Sequence, residues 1–199
     1  MEKQYCTIED IENYLLIEIS PEFEEQVEKW ISAVSKEMDI LANRVLVAPV
    51  VGSGDEYESK YYDGNNDRYL SIDDCQSIQE VIIGEEFGDN PVTLEATDYV
   101  INPKTPPISQ IILKTSYFPL GIQNITIKGS FGLMAEITDD LSLACAVLVA
   151  GIINSQNNDN QTKKSESIGS YSVTYGDEKG FSDYEGALNT INSYRKIEY

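Results

Sequence analysis

The chain's 199 residues suffice for one large domain or a core with a substantial insertion, and 41% hydrophobic with 24% charged residues is a globular composition. Thirty-four acidic residues against 14 basic ones give a formal charge of −20, which argues against binding DNA by neutralising its phosphates. The complete absence of histidine removes the commonest general base and argues against a zinc site. Three unspaced cysteines (Cys6, Cys75, Cys145) read as reduced thiols in a cytoplasmic setting, and MEKQYCTIED shows no signal-peptide pattern.

In chain order, Thr7 and Asp10 form a capping box for a first helix with Ile8, Ile11, Tyr14 and Leu15 on one face, running to about Ile19. Ser20-Pro21 starts a second helix, serine as cap and proline at the first position. Phe23, Val27, Trp30, Ile31, Val34, Met38 and Leu41 give that helix one apolar stripe. Beyond Arg44 the texture turns β: VLVAPVV, then a loop GSGDEYESK, then YYDGNNDRYLSI, whose Asp63-Gly64 predicts a hairpin turn. QEVII, TDYVIN, QIILK and QNITIKGSF are further strand candidates, with Pro103, Pro106 and Pro107 marking a loop among them.

Thr138, with Asp139 and Asp140 behind it, caps a helix that is apolar on nearly every side from Leu141 to Ile153. It is too short to span a bilayer, so it must be covered by protein. The first helix, the stripe on residues 23–41 and the underside of the β module are candidates to cover it. An Asn/Gln-rich linker, NSQNNDNQTKKSES, follows and is expected to be mobile. SIGSYSVTYG reads as extended, and Ser182 with Glu185 reads as the capping box of a last helix that must dock on something. The expected fold class is therefore α+β. Residues 1–44 form a helical hairpin, 45–131 an inserted antiparallel β module, 132–156 the apolar helix completing the bundle, and 157–199 a linker, an extended segment and a docking helix.

Catalytic constellations are not found. No Ser-His or Cys-His pair is available, GSGDE lacks the Lys-Ser/Thr of a phosphate loop, and GEEFGDN lacks the G-x-G-x-x-G spacing. Asp63, Asn65 and Asp67 alternate as in a calcium loop, but Arg68 replaces the required glycine and Asp74 the terminal glutamate, so a plain turn is the preferred reading. The pairs Asp73-Asp74, Glu85-Glu86 and Asp139-Asp140 read as solvated or capping groups. No catalytic residue, metal or cofactor is expected. Residues 160–199 are nearly neutral, five basic against six acidic, and rich in tyrosine. Aromatics are enriched where proteins meet, which makes Ile168, Tyr171, Val173, Tyr175, Tyr184, Leu188, Ile191 and Tyr194 the candidate partner-binding residues.

The motifs also form an ordered series. Y-x-T-x-E-D-I (Tyr5–Ile11) precedes Y-D-G-x-x-x-R-Y-L-S-I-D-D (Tyr62–Asp74) and S-I-Q-E-V ending at Val81. D-Y-V-I-x-P (Asp98–Pro103), F-P-x-G-x-Q-N-I-T-I (Phe118–Ile127), D-L-x-L-A-C (Asp140–Cys145) and E-S-I-G-S-Y-S-V-T-Y (Glu166–Tyr175) follow. In this order they resemble the head–tail connector (adaptor, or head-completion) proteins of tailed bacteriophages. The resemblance implies a non-enzymatic virion protein at the head–tail junction, assembled in the host cytoplasm. It implies a homo-oligomeric ring, typically dodecameric, beneath the portal protein, formed from subunits that can be monomers in solution. The ring would extend the DNA channel, DNA passing without specific binding, and would dock a tail or stopper protein, with the C-terminal segment reaching the portal. No membrane contact is implied. Without the resemblance, the residues also fit a monomeric or dimeric module whose β domain binds a protein or a carbohydrate.

Overall fold

The computed structural model describes residues 4–50, 57–84, 91–157, 164–168, 171–175 and 178–197, with side chains at all of these except 157–183. The fold is α+β, with four helices, a six-stranded antiparallel sheet and a separate two-stranded hairpin. It divides into two compact units, residues 1–43 with 137–199, and residues 44–136. Among the described residues no helix is long and apolar enough to cross a membrane.

In the helical unit, α1 (Ile8–Leu15) opens with the expected capping box. The Thr7 N–H donates to Asp10 Oδ2 at 2.7 Å, and the Asp10 N–H to Thr7 Oγ1 at 3.2 Å. The helix ends four residues earlier than the apolar pattern suggests, because Leu16 turns left-handed at φ 56 and Glu12 takes over the corner. The Glu12 carboxylate accepts the Ile19 N–H at 2.7 Å, so the chain after Leu16 is held in a turn. Pro21 starts α2 (Pro21–Ala42), but the Ser20 side chain makes no cap bond. Val27, Ile31, Val34 and Met38 are buried as the stripe predicts, whereas Phe23 is 60% exposed.

The apolar helix is α3 (Asp139–Asn157), and α1, α2 and α4 (Glu178–Ser193) all run against it. Leu141 and every residue from Ala144 to Ala150 are buried, and Leu143 alone in that stretch is largely exposed. The protein covers this helix with its own chain. Strands β7 (Lys164–Ile168) and β8 (Tyr171–Tyr175) pair as an antiparallel hairpin, β8 lying beside α3. Two expectations are corrected here. The Asn/Gln-rich stretch is in part structured, since α3 continues through Asn157 and β7 begins at Lys164; its middle, 158–163, lies outside the described residues. Helix α4 starts at Glu178, so Ser182 lies inside it and is not its cap.

In the sheet unit, β1 (Glu58–Gly64), β6 (Gly121–Phe131), β2 (Tyr69–Ile83), β5 (Ile108–Leu113) and β4 (Tyr99–Asn102) lie side by side in that order, with β3 (Val92–Thr93) at the end of β2. The Asp63-Gly64 hairpin is a third correction: β1 pairs with β6, which separates it from β2. Part of the supposed loop GSGDEYESK is strand as well, because β1 begins at Glu58. The segments YLSI and QEVII belong to one 15-residue strand. Its first half pairs with β5 and its second with β6, with register shifts on both sides of Cys75, which faces Ile108 on one side and Phe131 on the other. Bulges sharpen local twist, and the sheet packs a core of Leu70, Ile72, Val81, Ile111, Ile125 and Phe131.

Candidate functional site

Among the described residues, the cysteines and the carboxylates of the Asp63–Asp67 turn and of β2 are engaged in structural contacts. Cys6 and Cys145 lie with their sulfurs 3.2 Å apart in the core, and Ser35 Oγ approaches Cys145 at 3.8 Å while accepting the Tyr5 N–H at 2.9 Å. The hydrogen bond to Cys145, together with burial, raises the Cys6 thiol far above its ordinary pKa, so it is not a nucleophile. Burial raises Cys75 to about 11, partly offset by backbone hydrogen bonds at Ser77 and Ser130. Among the described residues no group of three or more His, Cys, Asp or Glu side chains could hold a metal. The calcium-like residues brace the turn itself: Asp63 Oδ1 accepts the Gln123 N–H, Asn65 Oδ1 the Asp67 N–H, and Asp67 Oδ1 the Arg68 N–H. The carboxylates of β2 meet cations at 3.0–3.4 Å, Asp73 with Lys60, Asp74 with Arg44 and Glu80 with Lys128.

Among the described residues, apolar surface is exposed on both units. On the sheet unit the β5–β6 connection and the start of β6 show Tyr117, Leu120 and Ile122 to solvent, at 62%, 79% and 69% exposure. This tip is rigidly braced. Asn124, nearly buried, accepts the Gly64 N–H at 2.8 Å and donates to the Pro119 carbonyl at 2.9 Å. The Phe118 N–H bonds the Asp67 carbonyl, and Arg68 donates to the carbonyls of Leu113 and Lys114. A Cβ at Gly64 would sit 1.7 Å from the Pro119 oxygen, so glycine is required there by close approach. Three exposed large apolar side chains on a well-braced turn resemble the anchors of an interface more than a packing accident.

On the helical unit, the α1–α2 corner carries a groove of about 250 Å³, lined by Ile17, Ile19, Phe23, Val27, Trp30 and Ile153. Leu16 beside it is 89% exposed. The surroundings are acidic: from residue 4 to residue 28 there are eight carboxylates and no basic residue. The sequence signals for both surfaces were present but subtle, namely the Leu15-Leu16-Ile17 run past a helix end and the Leu-Gly-Ile step after Pro119.

The expected partner-binding residues are distributed unevenly. Tyr184 and Ile191 are fully buried in the helical unit, with Ala187 between them on the face that meets α3. The docking helix thus docks on its own chain, and these two side chains offer no surface. Leu188 and Tyr194 are half-buried, and the Tyr194 hydroxyl donates to Asp140 Oδ2 at 2.8 Å. Hydrogen bonds from Thr138 and Tyr194 lower the Asp140 carboxyl below its usual range. The backbones at Ile168, Tyr171, Val173 and Tyr175 lie in the β7–β8 hairpin, and their side chains lie outside the described residues.

No protein-family model and no curated protein matches the chain. Among solved structures it is similar to a chain in the neck of a native GTA (gene transfer agent) particle computed with C12 symmetry, at TM-score 0.47 and 10% identity, covering all of this chain and 97% of that one. It is also similar to a chain in the neck of an empty GTA particle computed with C6 symmetry, at TM-score 0.56 and 9% identity over 88% of this chain and 80% of that one. This second likeness is one of fold: a particle-neck chain shares this arrangement of helices and antiparallel strands.

Proposed function

We propose that the protein is a structural, non-enzymatic subunit of the neck of a phage-like particle, a head–tail connector. The observation that carries this reading is the fold likeness to a neck chain over 88% of the sequence. It agrees with the ordered motif series from Tyr5 to Tyr175 that resembles the connector family. In this role the subunits form a closed ring beneath the portal, dodecameric as in that family, that extends the DNA channel and gives a tail or stopper protein its seat. The chain's work is assembly. The exposed, braced tip at Tyr117, Leu120 and Ile122 suits contact with a neighbouring ring component, since apolar anchors on a rigid loop lose little entropy on binding. The β7–β8 hairpin, with Ile168, Tyr171, Val173 and Tyr175, is the proposed portal-facing segment, and Leu188 and Tyr194 can add to its margin.

The charge fits a conduit. A ring of subunits each carrying −20 repels DNA phosphates, so a bore lined by carboxylates lets DNA slide without adhering. The test is to mix the chain with the portal of its own particle and image the product by electron microscopy, with and without the hairpin residues 164–175, a deletion that keeps α4 and its buried Tyr184 and Ile191. The full chain is expected to add a ring to the portal and the truncated chain to add none. Joining by the truncated chain would overturn the role of the hairpin, and no joining by either would overturn the connector reading. A ring with a basic or neutral bore would refute the proposed lining.

A further inference from the structure

The acidic groove at the α1–α2 corner asks for an apolar segment flanked by positive charge, and this chain exposes one. Beyond α4 the sequence reads Arg195-Lys196-Ile197, with Arg195 and Ile197 exposed, the latter at 68%. The Lys196 N–H donates to the Ala42 carbonyl at 2.8 Å, which pins this segment to the far end of α2. Phe23, on the groove, is separated from Ala42 by about 28 Å of helical rise. Ile197, one residue beyond the pin, reaches only about 4 Å further. The segment therefore cannot enter the groove of its own molecule.

We infer that the groove receives the Arg195–Ile197 segment of a second copy. Ile197 fills the apolar floor between Phe23, Val27 and Trp30, while Arg195 and Lys196 meet the carboxylates around it, Glu18 on the groove wall and Glu22 at the start of α2. The charge match carries the choice of occupant: Glu18 lines the groove, and residues 4–28 around it hold eight carboxylates, of which Glu25 is paired with Lys29, while the segment offers two adjacent cations in a chain that has only 14. Because the two halves of the contact lie at opposite ends of α2, it joins unlike surfaces, and such head-to-tail contacts close into rings or run on as filaments. The inference deepens the ring reading, and its place in a particle rests on that reading; the contact itself can be tested without one.

Trp30 is the chain's single tryptophan, and it lines the groove, so its emission reports occupancy. A blocked peptide of residues 192–197, titrated into the full chain, is expected to shift Trp30 emission to the blue and to saturate. The same peptide carrying R195E and K196E is expected to bind at least tenfold more weakly. Absence of a saturable shift, or equal binding of both peptides, overturns the inference. A second measurement identifies the source of the segment. The three native cysteines are buried, and a chain carrying F23C together with I197C is expected, on oxidation, to yield covalent chains longer than dimers, whereas each single variant stops at dimers. A bond formed within one molecule, or no ladder, overturns it. If the portal recruits the chain while the peptide fails, the contact is wrong and the connector reading stands; if the peptide binds while the portal recruits nothing, only the contact survives.

Discussion

The helical unit builds its core by surrounding one apolar helix, whereas the sheet unit builds its core on one long strand that pairs first with β5 and then with β6. In the first, α3 is covered by α1, α2, α4 and β8, and each covering helix finds its place through an apolar stripe of its own. In the second, β2 changes partner at Cys75, and the geometry depends on fixed points such as Gly64 and Asn124. Stripes tolerate local error, because a helix face can repack. A backbone in contact with backbone cannot. The two units are therefore expected to fail differently under substitution, and each shows its apolar surface where its construction leaves one: at a helix corner, and at a braced strand connection.

The sharpest way to break the contrast lies in the sheet. Gly64→Val forces a Cβ against the Pro119 oxygen, and the expected loss is more than about 3 kcal/mol, read as a lowered urea midpoint together with lost hydrogen-exchange protection in β1 and β6. Leu148→Ala in α3 opens a cavity that neighbouring side chains partly refill, and about 3 kcal/mol is expected by the same denaturation measurement. Asn124→Ala leaves the Gly64 N–H and the Pro119 carbonyl without their partner, costing about 2 kcal/mol.

Asp10→Asn is a smaller change with a pH signature. Burial alone would raise the Asp10 pKa, but hydrogen bonds from the Thr7 backbone and hydroxyl and from Ser142 outweigh it and hold the carboxyl below its usual value. A carboxylate held low in the folded state stabilises the fold above its unfolded pKa of about 3.9, and that stability disappears as pH falls through the folded value. The wild-type advantage over Asp10→Asn, about 1 kcal/mol as for other caps, is thus expected at neutral pH and should vanish in acid. Thermal melts of both proteins across the acid range check it; an advantage that persists unchanged in acid contradicts the assignment. The smallest effect is expected from L120S with I122S, which should change stability by less than about 0.5 kcal/mol while weakening contact with the neck partner in a pull-down on the portal-bound ring.

What the sequence revealed follows the same division. The first two helices and the apolar helix were legible because their signals are local: a capping box at Thr7, a proline at position 21, steps of three and four along α2. The strands were legible as segments, but their pairing was not. Asp63-Gly64 has the composition of a hairpin turn, yet the glycine is there because Pro119, far along the chain, passes against it, and no local pattern encodes that approach. Ser182 misled for a related reason, since a Ser-x-x-Glu spacing arises within a helix as readily as before one. Of the candidate binding residues, Tyr184 and Ile191 sit in a near-neutral, tyrosine-rich stretch that has the composition of a docking segment, yet both are buried in the helical unit. The exposed sites at Phe23, Leu120 and Ile122 could not be separated from core positions by hydropathy, because an apolar residue bears the same signature in a core and at an interface.

The central claim, that this chain is a ring-forming connector, is tested most directly by the mass of the portal after incubation with the purified protein. The account predicts a gain in a single step equal to a complete ring of 22.2 kDa subunits, with no stable partial species. A portal that gains nothing, or that carries one or two copies however much protein is added, would contradict it.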